Sequence, residues 1–386
     1  MEQLQMDLRG VDVYHAIMGS VTQSHAKTIL IRQKHVDSWF VSRAHLNIYR
    51  GCSHNCAYCD GRYEGYHVPD DFGSDIIARV NAPALLDNAL NPLGKRTSLH
   101  SGYILLGGGV CDSYQPVEQT LGLARACLEV IAQRRQPVHI LTKSILVERD
   151  LPIIQEINNQ SAAVLSVSFS GVNDDISRIF EPGCPPPSAR LKMMKTFVAA
   201  GIPVGMFLLP VIPGVTDTAE RIMQSVAAAH EIGASFILFG GMTLKAGRQQ
   251  DHFTSVLQHF APDVLARYPR IYKGDHFGAA VIGYSQKIEQ RFINAIRKYP
   301  LPRRMPPRLY WEICSEPDRL QIILSQLNYL QQASRQRHPF SRLAKLLANT
   351  SGAPTLFDLA QLPPALWQLY KELIAQKGEE WFSRFP

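Results

Sequence analysis

The chain has 386 residues, of which 46% are hydrophobic and 19% charged, an ordinary composition for a globular protein. No run approaches the roughly 20 consecutive apolar residues that a membrane-spanning helix needs, and the first residues lack the basic and apolar regions of a signal peptide. Three of the seven cysteines are clustered and four are scattered, which does not indicate a disulfide framework. We therefore expect a cytoplasmic protein with no membrane association, and its net charge of +7 is compatible with an anionic partner.

Short apolar strands alternate with helices from about residue 44 to residue 244. The predicted strands are Leu46–Tyr49, Tyr103–Leu106, Val138–Thr142, Ala163–Phe169, Val204–Val211 and Phe236–Phe239. The predicted helices between them include Val117–Gln133, Ser188–Ala200 and Glu220–Ile232. Such alternation is typical of βαβ units and a parallel sheet. Six units are too few for a closed eight-stranded barrel, so the sequence predicts an α/β fold with a partial (β/α)6 TIM-type barrel.

The pattern changes after about residue 247, where longer amphipathic stretches such as Leu320–Gln332 and Pro364–Phe382 predict helices. We predict an N-terminal extension (1–41), a core (42–246) and a basic, mainly helical C-terminal region (247–386). From Arg291 to Lys345 there are eleven Lys or Arg residues against three Asp or Glu residues, with tyrosines and a tryptophan among them. This pattern fits either a nucleic-acid surface or a solvated helical face whose aromatic side chains are turned into the core.

The cysteine cluster follows the first predicted strand. Cys52, Cys56 and Cys59 have the spacing C-x3-C-x2-C within the segment NIYRGCSHNCAYC, residues 47–59. Three thiols this close in sequence can converge on one metal centre with little loop to close. A structural zinc site or an ordinary iron–sulfur cluster has four protein ligands. Three ligands leave one metal position open, which indicates a centre that performs chemistry.

The cysteine loop and the segments around it resemble a known family. The loop is similar to that of radical S-adenosylmethionine (SAM) enzymes and, more narrowly, to the spore photoproduct lyase-related, DNA repair photolyase-like group. The resemblance covers roughly residues 42–244. Besides the loop it is carried by Asp71-Phe72, Val80-Asn81-Ala82-Pro83, Cys111-Asp112-Ser113-Tyr114-Gln115-Pro116, Leu141-Thr142-Lys143-Ser144, Ile202-Pro203-Val204 and Pro210-Val211-Ile212-Pro213-Gly214.

The resemblance implies a radical SAM core and two cofactors. Cys52, Cys56 and Cys59 would hold three irons of a [4Fe–4S] cluster, and SAM would bind the fourth iron. An electron from a donor such as flavodoxin or ferredoxin would cleave SAM to a 5′-deoxyadenosyl radical, which takes a hydrogen atom from the substrate. The cysteine loop would lie at the carboxyl end of the first strand, where barrel enzymes place their sites.

The resemblance also implies cofactor-binding positions, and each has a structural alternative. Tyr58 would lie near the adenine, or it is simply a packed aromatic. The backbone of three consecutive glycines would approach the SAM amino group: Gly107, Gly108 and Gly109. In the structural alternative, these glycines form an ordinary strand-to-helix turn. The family often has an acidic residue directly after the glycines, where this chain has Val110.

Polar and charged residues at strand ends allow two interpretations in the same way. Ser168 and Ser170 would hydrogen-bond the SAM ribose or carboxylate, or they close a strand. Lys143 and Arg50 would pair with a carboxylate or a phosphate, or they are solvated.

Cys111 follows the second strand of the core. In spore photoproduct lyase, a cysteine in a broadly similar place returns a hydrogen atom to the product radical, which suits a thiol because its sulfur is polarizable and its S–H bond is weak. The alternative is a buried structural cysteine. Cys127, Cys184 and Cys314 are isolated from one another in the sequence and do not form a second cluster motif.

The sequence therefore favours a radical SAM enzyme that repairs or modifies a nucleic acid such as DNA, with lysis of a thymine photoproduct as the example. A radical SAM enzyme that modifies a peptide or a small molecule is the second interpretation. The third is a non-catalytic zinc-binding protein, in which His54 or His67 is the fourth ligand.

Overall fold

The structure is a computed structural model that describes residues 20–66, 68, 72–94, 99–108, 111–334, 340, 342–343, 363–375 and 382. Its strands are β1 (Val21–Ser24), β2 (Leu30–Arg32), β3 (Ser42–Leu46), β4 (Tyr49–Arg50), β5 (Ile76–Arg79), β6 (Tyr103–Leu106), β7 (Val138–Thr142), β8 (Ala163–Phe169), β9 (Val204–Val211) and β10 (Phe236–Gly241).

The main sheet has seven strands in the order β10-β9-β8-β7-β6-β3-β2. The six strands from β3 to β10 in this sheet are parallel, and β2 pairs antiparallel with β3 at one edge. The predicted α/β fold with six strand units is confirmed. The two edge strands of the described sheet, β2 and β10, are not neighbours, so this sheet is open.

The predicted first strand spans a point where the chain changes sheets. β3 ends at Leu46, and β4 belongs to a second sheet of order β1-β5-β4. Between them, Asn47 N–H donates to the carbonyl of Ile29, and the Ile48 carbonyl accepts from Arg79 N–H. Since the cysteine loop follows β4, it leaves from the second sheet and not directly from the main one.

Helices connect the parallel strands and form the C-terminal region. They are α1 (Ala82–Leu90), α2 (Glu118–Leu121), α3 (Leu123–Gln133), α4 (Leu151–Gln160), α5 (Asp174–Phe180), α6 (Pro187–Ala199), α7 (Ala219–Glu231), α8 (Arg248–Phe260), α9 (Pro262–Leu265), α10 (Tyr268–Ile271), α11 (Ile282–Lys298), α12 (Glu316–Ser334) and α13 (Pro364–Ala375). The helix predicted over 117–133 is divided at Gly122, whose left-handed φ of 62° ends α2, since glycine adopts this conformation without steric cost.

The two faces of the main sheet have different partners. Alternate side chains of a strand point to opposite faces. One set, including Ile104, Leu165 and Met206, belongs to a core with α3, α6 and α7. The other set, including Val164 and Phe207, belongs to a core with α12 and α13. The C-terminal helices therefore cover the face that the connecting helices leave open.

The division of the chain into 1–41, 42–246 and 247–386 stays a prediction. Strands β1 and β2 lie before residue 42 and pair with strands after it. On the C-terminal side, Ile237 N–H donates to the carbonyl of Pro302, and Gly102 N–H donates to the carbonyl of Ile313. A search of the described residues finds no helix with the length and apolar character to cross a membrane.

Candidate metal centre

The cysteine loop follows β4 and is held by backbone hydrogen bonds at three places. Cys52 N–H donates to the Phe72 carbonyl over 3.1 Å, and Ala57 N–H donates to the Phe180 carbonyl over 2.8 Å. Gly183 N–H donates to the His54 carbonyl over 3.0 Å. The segment after α5 therefore closes over the loop, although it lies more than 120 residues away in the sequence.

The three predicted ligands lie together in this loop. Cys52 and Cys56 are buried, Cys59 is half-buried, and all three are free thiols. Burial raises the pKa of Cys52 to about 12 and that of Cys59 to about 12, and neighbouring thiols add to the effect. A metal would compensate for this cost, because thiolate is the form that binds a metal.

The donor set fits an iron–sulfur cluster. Among the described residues, no three His, Cys, Asp or Glu side chains converge closely enough to hold a single metal ion. A [4Fe–4S] cluster places each cysteine on a different iron, so the sulfurs that hold it lie further apart than those around one ion. The three loop cysteines, two buried and one half-buried, would each supply a thiolate to a different iron of such a cluster.

His54 locks the loop to the rim of the main sheet. Its Nδ1 lies 2.9 Å from the Gly183 carbonyl oxygen, and its Nε2 lies 3.1 Å from Oδ2 of Asp112. A carbonyl and an ionised carboxylate only accept hydrogen bonds, so both ring nitrogens must carry protons. Burial opposes the charge of His54, but Cys52 and Asp112 outweigh it and raise its pKa to about 10. Both nitrogens therefore have partners within the chain. A zinc site with His54 or His67 as fourth ligand stays the alternative interpretation, and His67 lies outside the described residues.

Asp112 joins the cysteine loop to the end of β7. Besides His54, its carboxylate accepts from the Thr142 hydroxyl over 2.8 Å, from Lys143 N–H over 2.7 Å and from Tyr114 N–H over 2.8 Å. Burial raises the pKa of Asp112, but these hydrogen bonds and the charge of His54 lower it overall. Asp112 therefore stays ionised and holds the loop against two parallel strands.

Gln115 and Ser113 belong to the same segment. The Gln115 side chain accepts from Ser53 N–H over 2.9 Å and donates to the Gly51 carbonyl over 3.1 Å. The Ser113 hydroxyl is buried and has no hydrogen-bond partner among the described residues. The segment after β6 thus holds the start of the cysteine loop and carries a buried polar atom that a bound cofactor could satisfy.

Tyr58 takes part in a buried ionic network. Its hydroxyl donates to Glu181, and Lys143 Nζ lies 3.2 Å from the same carboxylate oxygen and 2.9 Å from the Ser168 hydroxyl. Arg190 pairs with the other carboxylate oxygen. Burial opposes the ionisation of Glu181, but Arg190 and Lys143 hold its pKa well below its usual range. Lys143 therefore pairs with a carboxylate of the chain itself, that of Glu181.

The predicted glycines and serines lie at the ends of their strands. Gly107 has a φ of +90°, and a side chain there would overlap the carbonyl oxygen of Leu141 in β7. A side chain on Gly108 would overlap Leu105. Ser170 is buried at the edge of a cavity of about 10 Å³, too small for a cofactor. Gly109 and Val110 lie outside the described residues.

Two further cysteines lie next to the loop. Cys111 is half-buried, donates its S–H to the Tyr49 carbonyl over 3.1 Å and packs in the same small apolar cluster as Cys52 and Cys59. Cys184 lies with its sulfur 3.7 Å from that of Cys56. Cys184 looked isolated in the sequence because 128 residues separate it from Cys56, and no local pattern signals their contact.

The basic segment after residue 291 is partly internal where the structure describes it. Arg303 and Arg304 are 5% and 4% exposed. The Arg304 guanidinium lies 4.2 Å from the ring centroid of Trp39 and 3.7 Å from that of Tyr329. Tyr310 is fully buried. Arg303, Arg304 and Tyr310 therefore contribute to packing. Four other basic residues of the segment are exposed, and both interpretations of the segment stay open: Arg297, Lys298, Arg308 and Arg342.

Comparisons with known proteins point to one family. A family model described as the radical SAM superfamily matches residues 46–226. Uncharacterised proteins of Mycobacterium bovis and Mycobacterium tuberculosis are each 30% identical over 270 residues, which cover 68% of this chain and 77% of theirs. An uncharacterised protein of Methanocaldococcus jannaschii is 27% identical over 209 residues, 54% of this chain and 73% of that protein.

Solved structures of spore photoproduct lyase share the fold. The lyase complexed with dinucleoside spore photoproduct superposes with a TM-score of 0.53 at 14% identity, over 72% of this chain and 79% of that chain. A lyase mutant with bound AdoMet and the same dinucleoside gives a TM-score of 0.52 at 15% identity, over the same shares of the two chains.

Proposed function

Since the chain belongs to the radical SAM superfamily, we propose that it is an enzyme that repairs or modifies a nucleic acid. The enzymes of this superfamily use a [4Fe–4S] cluster and SAM, which are therefore its cofactors. The chemistry supplied when both are bound is reductive cleavage of SAM to a 5′-deoxyadenosyl radical, which removes a hydrogen atom from the substrate. The residues of this chain bind, orient and shield the reacting groups.

We assign Cys52, Cys56 and Cys59 as the cluster ligands. The support is that all three are free thiols, two buried and one half-buried, on a loop that the His54–Asp112 ion pair holds against the sheet. A rigid loop keeps the thiols in place before a cluster arrives, so less conformational entropy is lost on binding.

We assign the SAM environment to the residues around this loop. The Tyr58 ring would flank the adenine, and its hydrogen bond to Glu181 and the Lys143 ammonium, 5.6 Å from its ring centroid, would hold it in place. Ser168 and Ser170 would face the ribose or carboxylate. The backbone of three consecutive glycines would approach the SAM amino group; they are Gly107, Gly108 and Gly109.

The position of Cys111 is the observation that carries the proposed reaction class. Its thiol packs beside Cys52 and Cys59, which places a hydrogen-atom donor next to the proposed cluster. We propose that Cys111 returns one hydrogen atom to the product radical and becomes a thiyl radical itself. Burial raises the pKa of Cys111 to about 12, which keeps the thiol protonated, as a hydrogen donor must be.

The fold likeness supports a DNA lesion as substrate, since the lyase of the same fold is complexed with a dinucleoside photoproduct. A damaged nucleotide is less costly to extrude from the duplex than an intact one, so a lesion can present its reactive carbon to the site. We further propose a reduced flavodoxin or ferredoxin as electron donor in the cytoplasm.

The test is anaerobic reconstitution followed by assay with UV-irradiated and unirradiated DNA. We expect about four irons and four sulfides per chain, 5′-deoxyadenosine from SAM, and faster formation of it with irradiated DNA. Mass spectrometry of the DNA should show a repaired or modified nucleotide. Cleavage of SAM that no DNA stimulates, but that a peptide or small molecule does, would refute the nucleic-acid substrate and keep the enzyme class.

Cysteine variants separate cluster ligands from the donor. Cys52→Ala, Cys56→Ala and Cys59→Ala should each lose most of the iron. Cys111→Ala should keep the iron and the SAM cleavage but change the distribution of DNA products. Cys314→Ala is the control, since Cys314 is buried in the apolar core that contains α12 and α13, whereas the loop cysteines belong to other clusters. Unchanged products in Cys111→Ala would remove its donor role.

A further inference from the structure

A basic cavity lies beside the cysteine loop and takes no part in the site described above. It has a volume of about 450 Å³ and is lined by residues of β1, β4 and β5, of the connection between β1 and β2, and by Asn47. Four basic residues line it: His25, Lys27, Arg50 and Arg79. Among the residues that the structure describes, no Asp or Glu lines this cavity. The titratable residues in the described lining are therefore all basic.

The basic side chains are carried on rigid backbone. The Asn81 side chain accepts from Ala26 N–H over 2.9 Å and donates to the Ala26 carbonyl over 3.0 Å. This pair of hydrogen bonds holds the connection after β1 at the residue between His25 and Lys27. Arg79 Nη1 donates to the Asn47 carbonyl over 2.7 Å, so Arg79 is oriented as well. Preorganised donors lose less entropy when a ligand binds.

Arg50 and Arg79 lie close to each other on paired strands. β4 and β5 are antiparallel, with Arg50 opposite Ile77 and Tyr49 opposite Ala78. Burial and the charge of Arg50 both lower the pKa of Arg79. Two guanidinium groups on adjacent strands can donate to the same anion.

The cavity adjoins the segment that leads into the cysteine loop. Arg50 is two residues before Cys52, and the carbonyl of its neighbour Tyr49 accepts the S–H of Cys111. A ligand group held by Arg50 and Arg79 would therefore lie at the edge of the proposed reaction site.

We infer that this cavity binds a phosphate group of the substrate. Arginine and lysine side chains are the donors that phosphates recruit, and the position beside Cys111 would anchor a substrate whose reactive part extends to the loop. The identification of this phosphate with a nucleic-acid backbone rests on the proposed function; phosphate binding in the cavity does not.

Binding of a fluorescein-labelled single-stranded DNA decamer to the full-length protein tests the inference. Its methylphosphonate analogue, which has the same bases and no backbone charge, and inorganic pyrophosphate as competitor are the other two probes. We expect the decamer to bind, the analogue to bind at least tenfold more weakly, and Kd of the decamer to rise with salt. Displacement of the decamer by pyrophosphate would show that the cavity binds any phosphate group. Failure of displacement would show that it binds the phosphates of a nucleic-acid backbone specifically.

A matched pair of variants locates the binding. Lys27→Gln with Arg79→Gln should raise the Kd of the decamer about tenfold or more and lower the slope of log K against log salt by about two. Lys192→Gln with Lys195→Gln removes the same charge from exposed positions of α6, and it should change Kd less than twofold. The single variant Lys27→Gln, at an exposed position, should show about half the change in slope and guards against misfolding of the double variant.

Two results would overturn the inference, and both differ from the result that would refute the proposed function. One is equal loss of affinity in the two double variants, and the other is no binding of the decamer or pyrophosphate by the wild-type protein. If the cavity variants lose binding but no DNA stimulates 5′-deoxyadenosine formation, the phosphate site stands and the nucleic-acid reaction falls.

Discussion

Gly183 is the residue at which the segment after α5 meets the cysteine loop most closely. Its N–H donates to the His54 carbonyl and its carbonyl oxygen contacts the His54 ring. A side chain at this position would overlap the Ser53 carbonyl and the His54 backbone. Because the overlap would be with backbone atoms, movement of a flexible side chain could not relieve it.

We therefore predict that Gly183→Ala displaces the loop, costs about 1–3 kcal/mol of stability and lowers iron incorporation. Iron per chain after anaerobic reconstitution and urea unfolding of the apoprotein measure the two effects. Gly283→Ala is the control, because a side chain at Gly283 meets nothing within 4 Å and alanine favours the helix α11. Normal iron content in Gly183→Ala would contradict this account of how the loop is held.

Single residues also show the limit of prediction from sequence. The three loop cysteines could be found because their spacing is local. The partners of the loop could not, because Asp112, Glu181 and Cys184 approach it from other parts of the chain. Asp112 and Lys143 occur in segments that carried the family resemblance, but only the structure shows which groups they contact.

At the scale of elements, the start of β7 carries a buried histidine in its neutral form. His139 Nδ1 lies 2.8 Å from the Phe40 carbonyl oxygen and Nε2 lies 2.7 Å from the Ser166 hydroxyl. The carbonyl can only accept, so Nδ1 carries the proton and Nε2 accepts from Ser166. Burial lowers the pKa of His139 from 6.5 to about 4. Pairing of β7 with β8 brings these two side chains together on one face of the sheet.

This histidine predicts acid sensitivity of the fold. Between pH 6.5 and about 4 the unfolded chain binds a proton at this residue and the folded chain does not, so stability falls as pH decreases through this window. The full effect is about 3 kcal/mol. Urea unfolding at pH 7.5, 6 and 5 measures it. His139→Gln should be less stable at pH 7.5 but lose less stability on acidification, whereas His259→Gln, at an exposed position of α8, should follow the wild type. Parallel pH profiles for wild type and His139→Gln would contradict the prediction.

The fold of the elements was largely predictable because hydrophobic periodicity is local. β6, β7, β8 and β9 have the predicted bounds. Two predicted elements had wrong bounds because the apolar pattern continues past a change in structure. The chain leaves the main sheet after Leu46, within the predicted first strand. Gly122, in a left-handed conformation, divides one predicted helix. Neither event changes the apolar pattern of the sequence.

At the scale of the whole molecule, the C-terminal helices share an apolar core with the strands of the main sheet. Leu327 in α12 is fully buried in the same core as Val164 and Phe207. Fully buried apolar contacts of this kind couple the stability of the two regions. We therefore expect one cooperative unfolding transition and not two.

Leu327→Ala should destabilise the whole protein by about 2–5 kcal/mol, because the cavity it leaves lies in this shared core. Urea unfolding followed by circular dichroism and by tryptophan fluorescence should give coincident transitions in wild type and variant. Ile282→Ala, at a position that is 76% exposed, should change stability by less than about 0.5 kcal/mol. A fluorescence transition that precedes the circular dichroism transition would instead support an independent C-terminal domain.

The sequence by itself determined the strand–helix order, the six parallel strands and the three cysteines of the loop, because each depends on residues that are neighbours in the chain. Only the tertiary structure decided what surrounds the loop. Cys184 beside Cys56 and the Asp112 carboxylate on His54 are contacts between residues 128 and 58 positions apart. Such contacts form when parallel strands bring their carboxyl ends to one edge of a sheet, and no local spacing encodes them. The same holds for Arg304, whose charge is visible in the sequence but whose burial between Trp39 and Tyr329 is not.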